Sequence, residues 1–338
     1  MNSADNLTSE MLAAIEGELQ RQVARLDHPS TRRFHEMLTY HMGWSGEQAG
    51  PEASGKRVRP LMLLLVTAAC LGNWQHALPA AAAVELVHNF SLVHDDIQDN
   101  SEKRRGRPSL WKKYDVAQAI NAGDALFILA NRAMLDLAKQ VPPELAIRAA
   151  GVMHDTCLDL TCGQFLDMSF QSRAEITLEE YWRMIEGKTA SLLSGCTHIG
   201  CILAAADEST SSQYLAFGRA LGLAFQMKDD ILGIWGNELL TGKSIASDLL
   251  ERKKTLPVVY GINRRREFSR RWAQTTIGPG EVPEMARLLQ REGAYDFVQG
   301  AAQRFTELGM TALKTANPQG EAGYVLIKLT EKLLNRDS

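Results

Sequence analysis

Apolar residues recur every three or four positions along most of the chain, which is the pattern of amphipathic α-helices. No stretch alternates apolar and polar residues over more than a few positions, as a half-buried β-strand would. The sequence therefore predicts an all-α fold. The segments with helical periodicity are residues 8–27, 58–71, 79–99, 114–139, 143–170, 177–205, 210–234, 282–292, 295–315 and 319–335.

The breaks between these helices are few. Loops containing Gly, Pro or polar residues are predicted at 44–55, 235–255 and 274–284, and none is a long low-complexity linker. This favours one large helical bundle over two separate domains. The domain is expected to span residues 1–338, with poor order over residues 1–8.

Charge and targeting features exclude several classes of protein. The 37 basic and 40 acidic residues give a net charge of −3, so the chain is not a globally basic nucleic-acid binder. The five cysteines are an odd number without zinc-ligand spacing, which is typical of reduced thiols in the cytosol. The N-terminal residues lack the basic and apolar regions of a signal peptide, and no apolar run reaches the roughly 20 residues of a membrane span. A cytoplasmic protein is expected.

Two acidic clusters each end an apolar helical segment. The first, Asp95, Asp96 and Asp99, forms DDIQD, and the second contains Asp229 and Asp230. Asp95 and Asp99 are four residues apart and so share one helix face, where their charges repel each other and the helix dipole disfavours them. A bound cation would remove this penalty. Carboxylates without His or Cys suit a hard cation such as Mg²⁺.

Basic residues follow both acidic clusters, and a further basic group at residues 55–60 opens a helix, where phosphate binds well. Magnesium is commonly held by one or two carboxylates and by substrate phosphates, while Arg and Lys bind the remaining phosphate oxygens. The pattern therefore indicates a metal–polyphosphate site. For one acidic cluster alone, a solvated helix end is the alternative. The bases are Lys103, Arg104, Arg105 and Arg107 after the first cluster, and Lys243, Arg252, Lys253 and Lys254 after the second.

Five segments, in this order and spacing, resemble the trans-isoprenyl diphosphate synthase (polyprenyl synthetase) family. The resemblance runs from about residue 52 to residue 260. It implies a helical bundle around a central cavity, in which an allylic diphosphate ionises and the resulting cation is attacked by isopentenyl diphosphate. The segments are GKRVRP, ELVHNFSLVHDDIQDNSEKRRGRPSLW, GQFLD, EGKTASLL and FQMKDDILGIWGNELLTGKSIASDLLERKKTLPVV.

The resemblance implies a metal site formed by both acidic clusters. Asp95 and Asp99 would hold Mg²⁺ on the allylic diphosphate with the support of Asp96, and Asp229 would hold another Mg²⁺ with Asp230 nearby. Three Mg²⁺ ions per active site are expected, with Mn²⁺ as a substitute.

The same resemblance assigns the substrate-binding residues. Those for the allylic diphosphate are Arg104, Lys188, Lys243 and Lys253, and those for isopentenyl diphosphate are Lys56, Arg59, His88 and Arg105. Thr189 and Gln226 would lie beside the developing cation. The residues expected to act in catalysis are Asp95, Asp99, Lys188, Thr189, Gln226, Asp229 and Lys243, with Gln164 and Asp167 in a supporting role.

The second acidic cluster departs from the pattern of many family members. Gly233 stands where they have a third aspartate, and Asp248 is a candidate to replace it. Product length is expected to depend on Phe90 and Ser91, which lie five and four residues before Asp95. Within the family this pair resembles enzymes that make geranylgeranyl diphosphate (C20). Farnesyl diphosphate (C15) or a slightly longer product is the alternative.

Two other functions remain open at this point. A terpene synthase-like protein would cyclise or hydrolyse the allylic diphosphate, but it would not need the residues for isopentenyl diphosphate. A non-catalytic regulatory subunit would usually lack aspartates of the first cluster. The expected substrates are isopentenyl diphosphate and dimethylallyl, geranyl or farnesyl diphosphate. The family also implies a homodimer, for which the helix around Asn121, Gly123 and Asp124 is a candidate surface.

Overall fold

Helices account for almost all of the regular structure in the computed structural model, which describes residues 3–236, 247–274, 277–278 and 280–334. The prediction of an all-α fold is confirmed. The helices are α1 (Ser3–Val23), α2 (Arg32–His41), α3 (Pro51–Ser54), α4 (Val58–Ala69), α5 (Leu78–Gln98), α6 (Leu110–Lys113), α7 (Val116–Asp136), α8 (Pro143–Gln171), α9 (Leu178–Ile185), α10 (Ser191–Leu203), α11 (Glu208–Trp235), α12 (Ser247–Leu250), α13 (Leu256–Asn263), α14 (Glu267–Trp272), α15 (Val282–Arg291), α16 (Ala294–Thr315) and α17 (Gly320–Leu334).

The predicted helical segments agree with most of these bounds, but α2, α13 and α14 were not predicted. The short helices α3 and α12 lie within the segments 44–55 and 235–255, which were predicted as loops. The first helix begins at Ser3, inside the stretch expected to be poorly ordered. The predicted segment 177–205 is interrupted by a π-helical turn, Glu186–Ala190. A two-stranded antiparallel hairpin, β1 (Lys103–Arg104) and β2 (Arg107–Pro108), follows the first acidic cluster. Short 3₁₀ turns cover Ala24–Leu26, Trp74–Ala77 and Leu137–Lys139.

The chain divides into two compact units. The first contains residues 1–154, 196–211 and 317–326, and the second contains residues 155–195, 212–316 and 327–338. Each unit is described on its own below, and a single domain over residues 1–338 stays a prediction.

The first unit is built around α5. Residues 79–87 of this helix are all buried, and all but Glu85 are apolar, so this stretch lies inside the unit. Helix α1 contributes the buried stripe Met11, Ile15, Leu19 and Val23, spaced four residues apart. Since α5 ends at Gln98, this core places the first acidic cluster at the C-terminal end of a rigid, buried helix.

The core of the second unit joins α9, α11, α13 and α16. Tyr181 and Met227 are fully buried in it, beside Leu256 and Val298. A neighbouring cluster around Phe268 and Trp272 holds α14 and α15. The end of α11, which carries the second acidic cluster, is therefore packed against several helices. Within the described residues, no helix is long and apolar enough to cross a membrane.

Candidate functional site

The first acidic cluster ends α5 as the sequence predicts. The backbone N–H of Asp99 donates to the carbonyl oxygen of Asp95 at 2.8 Å, which is the i to i+4 bond of an α-helix. Asp95 is half-buried and Asp99 is exposed. The two carboxylates therefore share a face at the end of the helix, and that face is accessible to a ligand.

Asp96 faces the other way and is only 1% exposed. Its Oδ1 accepts hydrogen bonds from Arg104 Nε at 3.0 Å and from Arg104 Nη2 at 2.5 Å. Burial raises the pKa of Asp96, and the bonds from Arg104 oppose that shift. Asp96 thus attaches the end of α5 to β1 and fixes the hairpin that carries the basic residues.

The structure brings Arg59, His88 and Arg105 together in the first unit. Arg59 Nη1 lies 3.4 Å from His88 Nε2. Burial lowers the pKa of His88 well below its usual value, and the positive charges of Arg59 and Arg105 lower it further. His88 is therefore neutral and can donate or accept a hydrogen bond. Arg105 Nη1 donates to the carbonyl oxygens of Ala53 at 2.9 Å and Ser54 at 2.7 Å.

Lys56 is exposed at the edge of this basic cluster, next to the buried Arg57. Arg57 donates to its partner Glu85 at 2.8 Å, and neither residue was predicted to belong to the site. The sequence does point to Glu85, which is an acid within an apolar helix, whereas Arg57 has the same chemistry as the other bases of GKRVRP.

In the second unit, Lys188 and Thr189 lie on the π-helical turn, a feature that is frequent at functional sites. This turn touches α8 through two glycines. A Cβ on Gly163 would overlap the backbone nitrogen of Lys188, and a Cβ on Gly187 would come within 2.5 Å of the carbonyl oxygen of Asp159. Glycine at both positions lets the two backbones meet, which sets the position of Lys188.

Hydrogen bonds extend from both residues of this turn. Lys188 Nζ donates to Asp167 Oδ2 at 2.5 Å, so Asp167 contacts a predicted site residue. Thr189 Oγ1 donates to Gln226 Oε1 at 2.7 Å, and Gln226 Nε2 donates to Asp230 Oδ1 at 2.8 Å. Thr189 and Gln226, both predicted to lie beside the developing cation, are thus in contact with each other. Gln164, the other predicted supporting residue, is half-buried on the same helix as Asp167.

Asp229 and Asp230 point to different surroundings. Asp229 is exposed, whereas Asp230 is 3% exposed. Besides Gln226, Asp230 accepts from the hydroxyl of Tyr181 at 2.5 Å and from the backbone N–H of Leu256 at 2.7 Å. Burial raises the pKa of Asp230 to about 7 despite these bonds. Asp230 therefore anchors the start of α13 to α11.

Asp248 occupies the space beside Gly233. A Cβ built on Gly233 would overlap the Oδ2 atom of Asp248, whose side chain is 7% exposed. The negative charge of Asp248 also contributes to the raised pKa of Asp230. A carboxylate from another part of the chain therefore lies next to the position where many family members have a third aspartate.

The remaining predicted residues are only partly described. Lys253 is half-buried and pairs with Glu251 at 2.8 Å, while Lys243 lies outside the described residues. The Phe90 ring is 5.1 Å from the Phe127 ring and 5.1 Å from the His94 ring, measured between centroids. Ser91 is half-buried, and its hydroxyl donates to the carbonyl oxygen of His88 at 2.8 Å.

Asp95 and Asp99 in the first unit, and Asp229 in the second, each carry a group that is chemically suited to Mg²⁺. All three present carboxylate oxygens, and each is at least partly accessible. Over the described ranges, no three His, Cys, Asp or Glu side chains converge closely enough to hold a metal ion by themselves. One or two carboxylates at each cluster are what Mg²⁺ commonly takes from a protein when substrate phosphates and water supply its other ligands.

The fold and these motifs define a class of helical enzymes, and comparison with known proteins agrees. The polyprenyl synthetase family model matches residues 48–290, so the chain belongs to that family. It is 39% identical to the geranylgeranyl diphosphate synthase of Mycobacterium tuberculosis, over 89% of this chain and 86% of that protein. It is 37% identical to the (2E,6E)-farnesyl diphosphate synthase of Mycobacterium bovis, over 86% of this chain and 82% of that protein.

A solved structure shows the same fold. The geranylgeranyl pyrophosphate synthetase of Pyrococcus horikoshii is 30% identical to this chain and has a TM-score of 0.88. The alignment covers 99% of this chain and 100% of that one. The family and the fold predicted from the sequence are therefore both confirmed.

Proposed function

We propose that the chain condenses an allylic diphosphate with isopentenyl diphosphate and releases an all-trans prenyl diphosphate. The proposed main product is geranylgeranyl diphosphate (C20). Membership of the family makes the chain a short-chain prenyltransferase. The observation that carries the two-substrate reaction is the basic cluster of Arg59, His88 and Arg105 in the unit that carries Asp95 and Asp99. A protein that only ionises one allylic diphosphate has no use for this cluster.

In this proposal, Asp95, Asp99 and Asp229 hold Mg²⁺, with three ions per active site and Mn²⁺ as a substitute. Asp96 and Asp230, which the sequence also assigns to the metal, have carboxylates engaged by protein donors and would act by orienting their neighbours. Bound Mg²⁺ supplies Lewis-acid stabilisation of the negative charge on the diphosphate leaving group.

The basic residues of the chain bind and orient the allylic diphosphate. Lys188 and Lys253 supply compact positive charges, and Arg104 can spread its guanidinium between Asp96 and a phosphate oxygen. Lys243 completes the set assigned by the resemblance. Such groups lower the barrier because they stabilise charge that develops on the leaving group in the transition state.

Thr189 and Gln226 are proposed to lie beside the allylic cation. Because Asp230 accepts from the amide nitrogen of Gln226, the amide oxygen faces Thr189 and takes its hydroxyl hydrogen. The lone pairs of the Thr189 oxygen then remain available to a positive charge. Exclusion of water by the surrounding helices protects the cation, and the released diphosphate is the candidate acceptor for the proton that is lost.

Isopentenyl diphosphate is proposed to bind at Lys56, Arg59, His88 and Arg105. Arg59 and Arg105 provide planar groups for phosphate oxygens, and neutral His88 adds a hydrogen bond. Phe90 and Ser91 are proposed to limit the growing chain. The contact of Phe90 with Phe127 supports this role, since it forms an aromatic barrier between α5 and α7. Farnesyl diphosphate is the alternative product, in line with the farnesyl diphosphate synthase among the relatives.

We also propose a cytoplasmic homodimer made of single-domain subunits. Helix α7 exposes Val116, Ile120, Ile128 and Leu135 along one face, and α8 exposes Ile147, Leu158 and Phe165. Exposed apolar stripes of this kind mark interaction surfaces. The predicted residues Asn121 and Asp124 are exposed on α7 itself, whereas Gly123 is buried against His94.

Incubation with Mg²⁺, labelled isopentenyl diphosphate and each allylic primer tests the function. The expected result is label in a C20 prenyl diphosphate, with activity lost on addition of EDTA and restored by Mg²⁺. Release of a hydrocarbon or alcohol without incorporation of label would instead identify a terpene synthase-like enzyme. Absence of turnover until a partner protein is added would identify a regulatory subunit.

A further inference from the structure

Arg57 differs from the bases on either side of it because its side chain is turned into the protein. It is 5% exposed, whereas Lys56 is exposed and Arg59 is half-buried. Its backbone has a left-handed φ of +48°, which is uncommon for a residue with a side chain. Arg57 is also the residue immediately before α4, so its conformation sets the direction in which that helix starts.

The guanidinium of Arg57 is held by three elements of the first unit. Arg57 Nη1 donates to Glu85 Oε1 at 2.8 Å on α5, and Nε donates to Glu16 Oε2 at 3.1 Å on α1. Nη2 donates to the carbonyl oxygen of Met42, just after α2, at 3.3 Å. A guanidinium used in this way has little capacity left for a substrate phosphate, so Arg57 is a structural base within a basic segment.

Glu85 is the acidic partner at the centre of this arrangement and is 2% exposed. Its Oε1 also accepts from Asn89 Nδ2 at 3.0 Å. Glu85 lies three residues before His88, so the two side chains are neighbours on α5. The Arg57–Glu85 pair therefore ties the start of α4, with Lys56 and Arg59, to the stretch of α5 that carries His88.

Buried polar atoms without a hydrogen-bond partner lie near this pair. Arg59 Nε, His41 Nε2 and Asn89 Oδ1 are buried and make no hydrogen bond within the described part of the chain. Buried polar atoms are rarely left in this state, and water or a ligand commonly accounts for them. The positive charges of Arg105, Arg104 and Arg57 all act on His41, so its surroundings do not favour a second cation there.

We propose that Arg57 and Glu85 are positioning residues for isopentenyl diphosphate: their buried ion pair sets the spacing between Lys56 and Arg59 on one side and His88 on the other. This role presupposes the function proposed above. Neither residue touches the substrate. Loosening the pair is expected to weaken binding of isopentenyl diphosphate while leaving the allylic substrate almost unaffected.

Steady-state kinetics of Arg57→Lys and Glu85→Gln test this role. Lysine keeps the charge but cannot bond Glu85, Glu16 and the carbonyl oxygen of Met42 at once, and glutamine keeps the shape but loses the charge. We expect the KM for isopentenyl diphosphate to rise by about tenfold or more in both variants. The KM for the allylic primer should change less than about twofold, because the pair does not position the residues proposed to bind that substrate. A loss of folded enzyme would change neither KM, so it cannot produce this difference.

Asp136→Asn is the matched control. Asp136 is also buried in the first unit and pairs with Arg25 at 2.6 Å, but it lies outside all of the proposed substrate-binding residues. This variant should lose thermal stability without changing either KM. Should either pair variant fail to fold, Arg57→Met/Glu85→Met removes both buried charges together, a replacement that is often tolerated. It should show the same selective rise.

Calorimetric titration with isopentenyl diphosphate alone gives a readout that does not depend on turnover. The pair variants should bind it about tenfold more weakly than the wild type and than Asp136→Asn. Equal changes in both KM values, or a pattern identical to that of Asp136→Asn, would overturn the positioning role. A wild-type protein that does not consume isopentenyl diphosphate would overturn the proposed function instead.

Discussion

The two double-aspartate motifs share a sequence but use their second aspartate differently. In each motif the first aspartate is accessible and the second is buried, because neighbouring helix residues point about 100° apart. Asp96 is neutralised by the cation Arg104, whereas Asp230 is held by the neutral donors of Tyr181, Gln226 and Leu256. Each motif thus combines one accessible carboxylate with one anchor, and only the first anchor includes a counter-charge.

Removing the accessible carboxylates should give the largest effect. Asp95→Asn and Asp229→Asn are expected to lower kcat by about 10³-fold, because leaving-group charge is then less stabilised in the transition state. Thermal unfolding should be nearly unchanged, since neither side chain is buried. If either variant instead had a much lower melting temperature and a normal kcat, that aspartate would be a structural anchor and not a catalytic carboxylate.

Removing the anchors should act mainly on stability. Asp230→Ala leaves the Tyr181 hydroxyl and the Leu256 N–H without an acceptor, and a loss of about 3 kcal/mol is expected. Asp96→Ala should cost less, about 2 kcal/mol, because Arg104 is partly exposed and can turn to water. Urea unfolding of both variants measures the difference, and the opposite order would contradict the comparison.

Low pH should lower the stability of the first unit because of His41, which is buried there. Burial and the charges of Arg105 and Arg104 lower the pKa of His41 to about 3 from its usual 6.5. The unfolded chain therefore binds a proton below pH 6.5 that the folded chain does not, and stability falls as the pH falls, by about 2 kcal/mol at pH 5. His41→Gln should lose this part of the pH dependence in urea unfolding. His28→Gln, at an exposed position, is the control and should keep it.

Asp248 lies beside the second double-aspartate motif and can be tested as part of that site. If it supplies the carboxylate missing at Gly233, Asp248→Ala should lower kcat by about tenfold. Gly233→Asp should be harmful on its own, because its side chain would collide with Asp248, but it should restore activity to Asp248→Ala. Rates of the three variants and of the wild type decide the question. Failure of the double variant to recover would leave Asp248 without this role.

The smallest effect expected on rate is that of Phe90→Ala. Removing one ring of the Phe90–Phe127 contact should open space between α5 and α7 and lengthen the product beyond C20. Chromatography of the dephosphorylated products measures the change. Ser91→Ala serves as the control for a small change at the neighbouring position, and an unchanged product length would argue against Phe90 as the limit.

Local pattern was sufficient to predict most of the helices and the shared face of Asp95 and Asp99, because periodicity and four-residue spacing are properties of the helix itself. The partners of the second aspartates were not accessible in the same way. Tyr181 lies 49 residues before Asp230, and nothing near either residue indicates the contact. Arg57 was overlooked for a related reason: in GKRVRP it has the same chemistry as its neighbours, and only burial distinguishes it.

The contact between Gly163 and Gly187 has a consequence for engineering. Backbone meets backbone there, so the distance from α8 to the turn that bears Lys188 and Thr189 is a property of the main chain alone. Redesign of nearby side chains can alter the charge and shape of the surface that Lys188 and Thr189 form, but not the distance between α8 and the turn. Moving the backbone of Lys188 away from α8 would instead require a shift of a whole helix.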